Sequence, residues 1–245
     1  MENRLLFLPY GSKALIIKFD KPSISQIEIL SRLSFRNYVG NIFKKDLEDL
    51  VLTSDSLTIF FKNITNINSI KKNLLEAYNI ILFKRNDFKY KHWEIPVCFE
   101  NNFSSDLLKY FNNDESKTKN YVKKICELEL TVQFYGFLPG FCYLIGLPRS
   151  MQLKRKVEPT LKVRKGSLAI GGGYAGIYPQ SSPGGWHVIG ITPTVFFHPK
   201  RDPNCFASIG DKFSFKKISI DEYEKASKQS FKKNLPSFNI FNVKD

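Results

Sequence analysis

The chain has 245 residues, of which 42% are hydrophobic and 14% aromatic, and a formal net charge of +14. That length exceeds one typical domain and that composition can bury a core, which excludes a disordered or fibrous chain and leaves two compact units or one large β-rich one. The positive charge admits an anionic partner, but the lysines are spread along the chain without any RNP, zinc-finger or helix-turn-helix signature, so no nucleic acid is expected and most of the charge is expected on solvated surface.

In chain order, MENRLLFLPYGSKALIIKF (residues 1–19) carries an early acidic residue and is broken by Pro9, Gly11 and Lys13. It fits neither a signal peptide nor an anchor, and no run of about twenty apolar residues follows, so the expectation is no membrane and a cytoplasmic location. The same stretch reads as two extended runs about a turn at Tyr10-Gly11-Ser12. In SISQIEILSRL (23–33), Ile24, Ile27, Leu30 and Leu33 lie close to one helical stripe behind Ser23, a candidate N-cap with Gln26 three positions on. SDSLTIFFK (54–62) places Leu57, Ile59 and Phe61 on one strand face, and NINSIKKNLLEAYNI (66–80) repeats the helical stripe through Ile67, Ile70, Leu74 and Tyr78. KHWEIPVCF (91–99) is again extended, with Ile95, Val97 and Phe99 on one side. Strands interleaved with two helices predict an α+β domain of ferredoxin-like type over 1–89.

SSDLLKYF (104–111) and NYVKKICELEL (120–130) are short helical candidates. From Thr131 glycine and proline cluster among β-branched and aromatic residues, with no sustained helical period until DEYEKASKQSFKK (221–233). This half, 90–225, predicts an all-β closed barrel, which removes exposed strand edges, and 226–245 is expected to be a C-terminal tail. The four cysteines, Cys98, Cys126, Cys142 and Cys205, are far apart and form no C-x-x-C pair, which argues against zinc and against a disulfide scaffold.

SLAIGGGYAG (167–176) contains a literal G-x-G-x-x-G, yet Ile177, Tyr178 and Pro179 follow, so the helix that a dinucleotide pyrophosphate requires cannot form. The glycines, Gly172 and Gly173 among them, instead either bring backbone N–H groups close to a carboxylate or oxyanion or make a barrel corner that needs no ligand. In SPGGWHVIGITP (182–193), Gly184 and Gly185 are expected to supply unusual dihedrals beside Trp186 and His187. Two adjacent glycine loops of this kind would frame a polar recess at the mouth of the barrel. His187 is a candidate proton shuttle, since imidazole titrates near neutral pH, against the plainer reading of a strand-end histidine bonded to a carbonyl. Trp186 and Tyr178 form either a pocket wall or barrel core; Phe137, in FLPGF (137–141), and Tyr143 would line the same cleft. Cys142 reads as a buried small hydrophobe, Asp211 as the start of a strand turn, and His92, His187 and His198 lack metal-ligand spacing.

Together, FYGFLPGFCYLIGLP (134–148), GSLAIGGGYAGIYP (166–179), SPGGWHVIGITP (182–193) and FFHPKRDPNCFASIGDKFSF (196–215) closely resemble the KipI family, allophanate-hydrolase-subunit-1-like proteins that include the B subunit of bacterial ATP-dependent 5-oxoprolinase. The resemblance implies a small α+β domain followed by a cyclophilin-like barrel. It also implies work beside a sister cyclophilin-like subunit of KipA type and a LamB/YcsF-like subunit. Such a complex opens the lactam of 5-oxo-L-proline to glutamate with ATP, here as a complex-level cofactor. Other branches imply an inhibitor of a sporulation histidine kinase, or a part of urea carboxylase. Three departures stand out: Ile191 and Thr160 occupy positions where the family often has arginine, and Tyr174-Ala175 replaces a frequent glutamine-threonine pair. Neither Ile nor Thr supplies a bidentate grip on a carboxylate. Lys154, Arg155, Lys156, Lys162 and Arg164 stand nearby, either to compensate or, as expected of such a run, as a solvated loop.

Overall fold

Gly11, at φ +63°, turns the chain between β1 (Leu6–Tyr10) and β2 (Ala14–Lys18), an antiparallel pair. These elements belong to a computed structural model that describes residues 5–63, 67–83, 88–230 and 235–243. The chain divides into two compact units, Met1–Phe88 with Asn242–Asp245, and Lys89–Phe241.

In the first unit the hairpin is followed by α1 (Gln26–Ile42), β3 (Leu47–Leu52), β4 (Ser56–Phe61) and α2 (Ile67–Phe83). The four strands form an antiparallel sheet in the order β1-β2-β4-β3. Alternation puts Leu15, Ile17, Leu57, Ile59 and Phe61 on the buried face, where the helices cover them with Phe35, Val39, Leu74 and Tyr78. The N-cap of α1 is Ser25 rather than Ser23: its Oγ accepts from the Glu28 amide at 3.2 Å while Glu28 Oε2 accepts from the Ser25 amide at 3.3 Å. Because the helix starts two residues late, Ile24 and Ile27 are exposed and the buried face runs through Ile29, Leu30, Phe35 and Val39. Strand β3, charged at Glu48 and Asp49, escapes the period-2 reading.

The second unit begins with β5 (Lys89–Cys98), α3 (Asn101–Tyr110) and α4 (Glu115–Cys126). There follow β6 (Leu130–Tyr135), β7 (Cys142–Ile145), β8 (Thr160–Val163), β9 (Ser167–Gly171), β10 (Tyr174–Ile177), β11 (Ser182–Gly184), β12 (His187–Ile191) and β13 (Lys212–Ile218). The strand order β12-β9-β10-β7-β6-β13-β5 closes on itself where Ile191 of β12 pairs with Cys98 of β5, making a seven-stranded barrel. All ladders in it are antiparallel except β13 with β5. Its interior is filled by Ile95, Val97, Val132, Leu144, Ile170, Ile177, Ile189 and Phe213. Strands β8 and β11 form a separate two-stranded ribbon. The chain ends with α5 (Ile220–Ser227) and β14 (Ser237–Asn242), an outer strand beside β5 in the stretch expected to be a tail. The helical reading of 221–233 runs into 231–233, outside the described residues.

Asp211 does precede a strand, but the residue is 4% exposed and its carboxylate ties its own loop to β5 through three N–H groups. Its Oδ1 accepts from the Lys91 amide at 2.9 Å; its Oδ2 accepts from Trp93 Nε1 at 2.9 Å and from the Ser208 amide at 2.8 Å.

Candidate functional site

The glycine run at 171–173 is a hairpin, not a phosphate cradle. Gly172, at φ +65°, makes the turn from β9 to β10 and donates its amide to Leu153 O at 2.7 Å, and Gly173 lies beside Gln152. Gly171 is small for a different reason: a Cβ there would overlap the Trp186 indole. Likewise a Cβ on Gly184 would overlap the Tyr178 hydroxyl. Gly185 does not meet the expectation of unusual dihedrals: it has no positive φ, and the nearest atom to a Cβ would be Pro159 Cγ at 3.9 Å. Gly171→Ala is therefore expected to cost about 1–3 kcal/mol by overpacking, and Gly185→Ala less than about 0.5 kcal/mol. Paired urea titrations of the two variants check this; equal midpoints would contradict it.

Trp186, Tyr178, Tyr143 and Phe137 do come together, around Phe141. Ring centroids lie 5.5 Å (Trp186), 5.2 Å (Tyr178), 5.1 Å (Tyr143) and 5.5 Å (Phe137) from that of Phe141, all edge-on. Tyr178 and Trp186 are buried, and burial pushes the Tyr178 phenol up to about 12. The two glycine loops are thus filled by their own aromatic side chains and do not frame a recess between them; Phe137, 60% exposed, is the open edge of the cluster.

His187, next in the chain to Trp186, sits in a different environment. Its ring packs edge-on against Tyr110 of α3, with centroids 5.1 Å apart. Nδ1 is buried and has no hydrogen-bond partner among the described residues. Burial and the nearby Lys156 ammonium hold its pKa below the ordinary histidine value, with Asp106 and the Lys154 backbone pulling the other way, so the ring is neutral at pH 7.

Lys156 and Asp106 form a mostly buried ion pair of 2.5 Å, with side chains 14% and 20% exposed. Lys156 also donates to Thr160 Oγ1 at 2.8 Å, and Asp106 Oδ2 accepts from the Val188 amide at 3.0 Å, so both charges are tied to the strands beside His187. The backbone amide of Lys156 donates to Gly185 O at 2.8 Å, which straps this segment over the second glycine loop. Lys156 is thereby not part of a solvated loop, whereas Lys154, Arg155, Lys162 and Arg164 are exposed. Next to the pair, a recess of about 160 Å³ is lined by Asp106, Thr160, Lys162, Arg164, Ser167 and Ile191 with their neighbours.

Residues 5–207 match the carboxyltransferase domain, subdomain C and D, family. The 5-oxoprolinase B subunit of Haemophilus influenzae is 31% identical over 172 residues, which is 70% of this chain and 80% of that protein. The chain belongs to this family. The B subunit of the same enzyme from Bacillus subtilis is 34% identical over 137 residues, 56% of this chain and 57% of that protein. In fold, the urea amidolyase of Kluyveromyces lactis superposes over 98% of this chain and 16% of its own length, with a TM-score of 0.74 at 17% identity.

Thr160 and Ile191, the two positions where the resemblance implies arginine, line one recess. They lie 31 residues apart in sequence and meet because β8 and β12 flank the same opening. Among the other candidates, Cys142 is fully buried, which pushes its thiol up to about 12, so it is not a nucleophile at neutral pH. His198 is a loop residue whose Nδ1 accepts from the Lys200 amide at 3.1 Å, and His92 lies 3.5 Å from Glu129. Asp106 and Lys156 were not singled out as a pair from sequence, since 50 positions separate them.

Proposed function

We propose that the chain is the B subunit of an ATP-dependent 5-oxoprolinase, a heteromeric hydrolase complex in which water adds to the lactam carbonyl of 5-oxo-L-proline, the ring C–N bond breaks and the nitrogen takes a proton. What supports this reading most is the match to subunits of that name together with the neutral imidazole of His187, its Nδ1 without a partner, beside the Asp106–Lys156 pair. In this reading His187 moves the proton. Because Nδ1 is buried, the last turn of α3 at Tyr110 must part from β12 first, and docking of a companion subunit supplies that movement. The isolated chain is then inactive.

Thr160, Lys162, Arg164 and Lys156 take over the anchoring of the substrate carboxylate that arginines at 160 and 191 would perform. Gly172, Gly173, Gly184 and Gly185 shape the loops behind it, and the aromatic group of Tyr178, Trp186, Tyr143 and Phe137 backs them, with Phe137 at the rim. The glycine run has no helix behind it, and Trp186 and Phe141 occupy the space beside Gly171 and Gly176, so it does not fit ATP phosphates. ATP handling belongs to the partners, a sister cyclophilin-like subunit and a LamB/YcsF-like subunit. The cyclophilin-like label for the barrel and a cytoplasmic location complete the reading; the first unit, in the order β-β-α-β-β-α, departs from the β-α-β-β-α-β order of the ferredoxin-like fold expected over 1–89.

Co-expression with the two partner types and assay of ATP-dependent glutamate release is the test: turnover that requires this chain is expected, and a stable, fully assembled complex without turnover contradicts it. In that complex Lys156→Met should raise KM for 5-oxoproline by about tenfold or more, the loss expected for one charge-assisted contact. An unchanged KM would remove Lys156 from the anchor.

A further inference from the structure

A second cavity lies away from His187. It is an open groove of about 760 Å³ beside α4, lined by Phe99, Val122 and Cys126, by Lys119, Lys123 and Lys217, and by Thr118, Glu100 and Glu127. That volume is in the range of small-molecule sites, which run from about 300 to 1,000 Å³. Its composition is that of an amphipathic site, with an apolar floor from the end of β5 and one face of α4, and ammonium groups along the wall. Lys119 is already paired with Glu115 at 3.1 Å, and the Glu100 carboxylate is taken up by the Ile220 amide at 3.0 Å at the start of α5. Lys123 and Lys217 form no ion pair with any described carboxylate. Three ammonium groups against the Glu100 and Glu127 carboxylates leave the lining with a net positive charge over an apolar floor, which complements a single anionic head on an apolar body.

We propose that this groove binds a small amphipathic anion, its head between Lys123 and Lys217 and its apolar part over Phe99 and Val122. The site is separate from the recess beside Asp106 and does not depend on the activity proposed for that region.

Cys126 reports occupancy directly, because its half-buried thiol lines the groove, while Cys205, also half-buried, lies on the loop before β13 and serves as a control in the same molecule. The full chain is labelled with N-ethylmaleimide below the critical micelle concentration of each additive, and modification at each cysteine is followed by peptide mass spectrometry. Decanoate or decyl phosphate is expected to slow labelling of Cys126 by about tenfold and leave Cys205 unchanged, and the stronger of the two identifies the preferred head group. Decyltrimethylammonium, with the same tail and opposite charge, is expected to protect neither. In Lys123→Glu/Lys217→Glu, two exchanges at the groove wall, decanoate protection should be lost. Equal protection by the cation, equal slowing of both cysteines, or full protection retained in the double variant would each overturn the proposal; so would absence of protection by both anions.

Discussion

His187→Ala, assembled with its partner subunits, is expected to lose at least about a hundredfold in kcat for ATP-dependent opening of 5-oxoproline, the lower end of what a positioned proton-transfer group contributes. Its melting temperature should stay within a few degrees of wild type, because the ring is held by an edge-on contact with Tyr110 and one bond to the Lys154 backbone, and no described group bonds Nδ1. The combination matters more than either number. A variant that loses activity only by unfolding would make His187 a packing residue, and one that keeps both fold and rate would remove it from the chemistry. Gln at this position supplies a neutral polar side chain without a titrating proton and is expected to keep the melting temperature of wild type but not to restore kcat.

Asp211→Ala is expected to be the most damaging single change to the fold. Three N–H groups, from the Lys91 and Ser208 backbone and the Trp93 indole, converge on the carboxylate of a residue that is 4% exposed. Truncation leaves these donors without an acceptor near the core, at an expected cost of about 3–5 kcal/mol, since each orphaned buried group costs about 1–3 kcal/mol. For a chain of this size that is a fall of roughly 10 °C in melting temperature. Asp211→Asn keeps the shape but not the chemistry. All three partners are donors, and an amide offers one oxygen plus an NH2 that must face one of them. It is expected to recover no more than about half of the loss. Thermal melts of the two variants check this, and a loss below about 1 kcal/mol for Ala would show that water replaces the carboxylate.

Local order was readable wherever the determinants are adjacent in sequence. The Tyr10-Gly11-Ser12 turn, the alternation of Leu57, Ile59 and Phe61 and the stripe through Leu74 and Tyr78 each follow from a short-range period, and the buried faces match. The change of character near Thr131 likewise announces a β-rich unit, and the resemblance carried by residues 134–215 named the family. Boundaries were less readable: both Ser23 and Ser25 can cap a helix, and only Glu28 folding back onto Ser25 decides between them. The candidate site was legible in part. The density of glycine and aromatic residues marked the right region, but which glycine is conformational and which is merely small depends on Trp186 and Tyr178 lying above Gly171 and Gly184. Asp106 gave no signal, and the pairing of Lys156 and the buried role of Asp211 were not legible, because Asp106 and Lys156 lie 50 positions apart and Lys91 and Trp93 lie 120 and 118 positions from Asp211, and a lone charge in a helix or loop resembles any surface charge.

The pH dependence of kcat/KM in the assembled complex tests the site most directly. Burial and the Lys156 ammonium lower the His187 pKa. If the neutral ring is the active form, the rate climbs as pH rises through that lowered pKa, so the acid limb lies below about 6.5, the ordinary histidine value. Lys156→Met removes a cation and leaves Asp106 to favour the imidazolium, so the limb should move to higher pH. A limb that stays in place in Lys156→Met, or that lies at or above 6.5 in the wild type, would contradict the assignment of His187 and its ion pair as the working centre of the barrel.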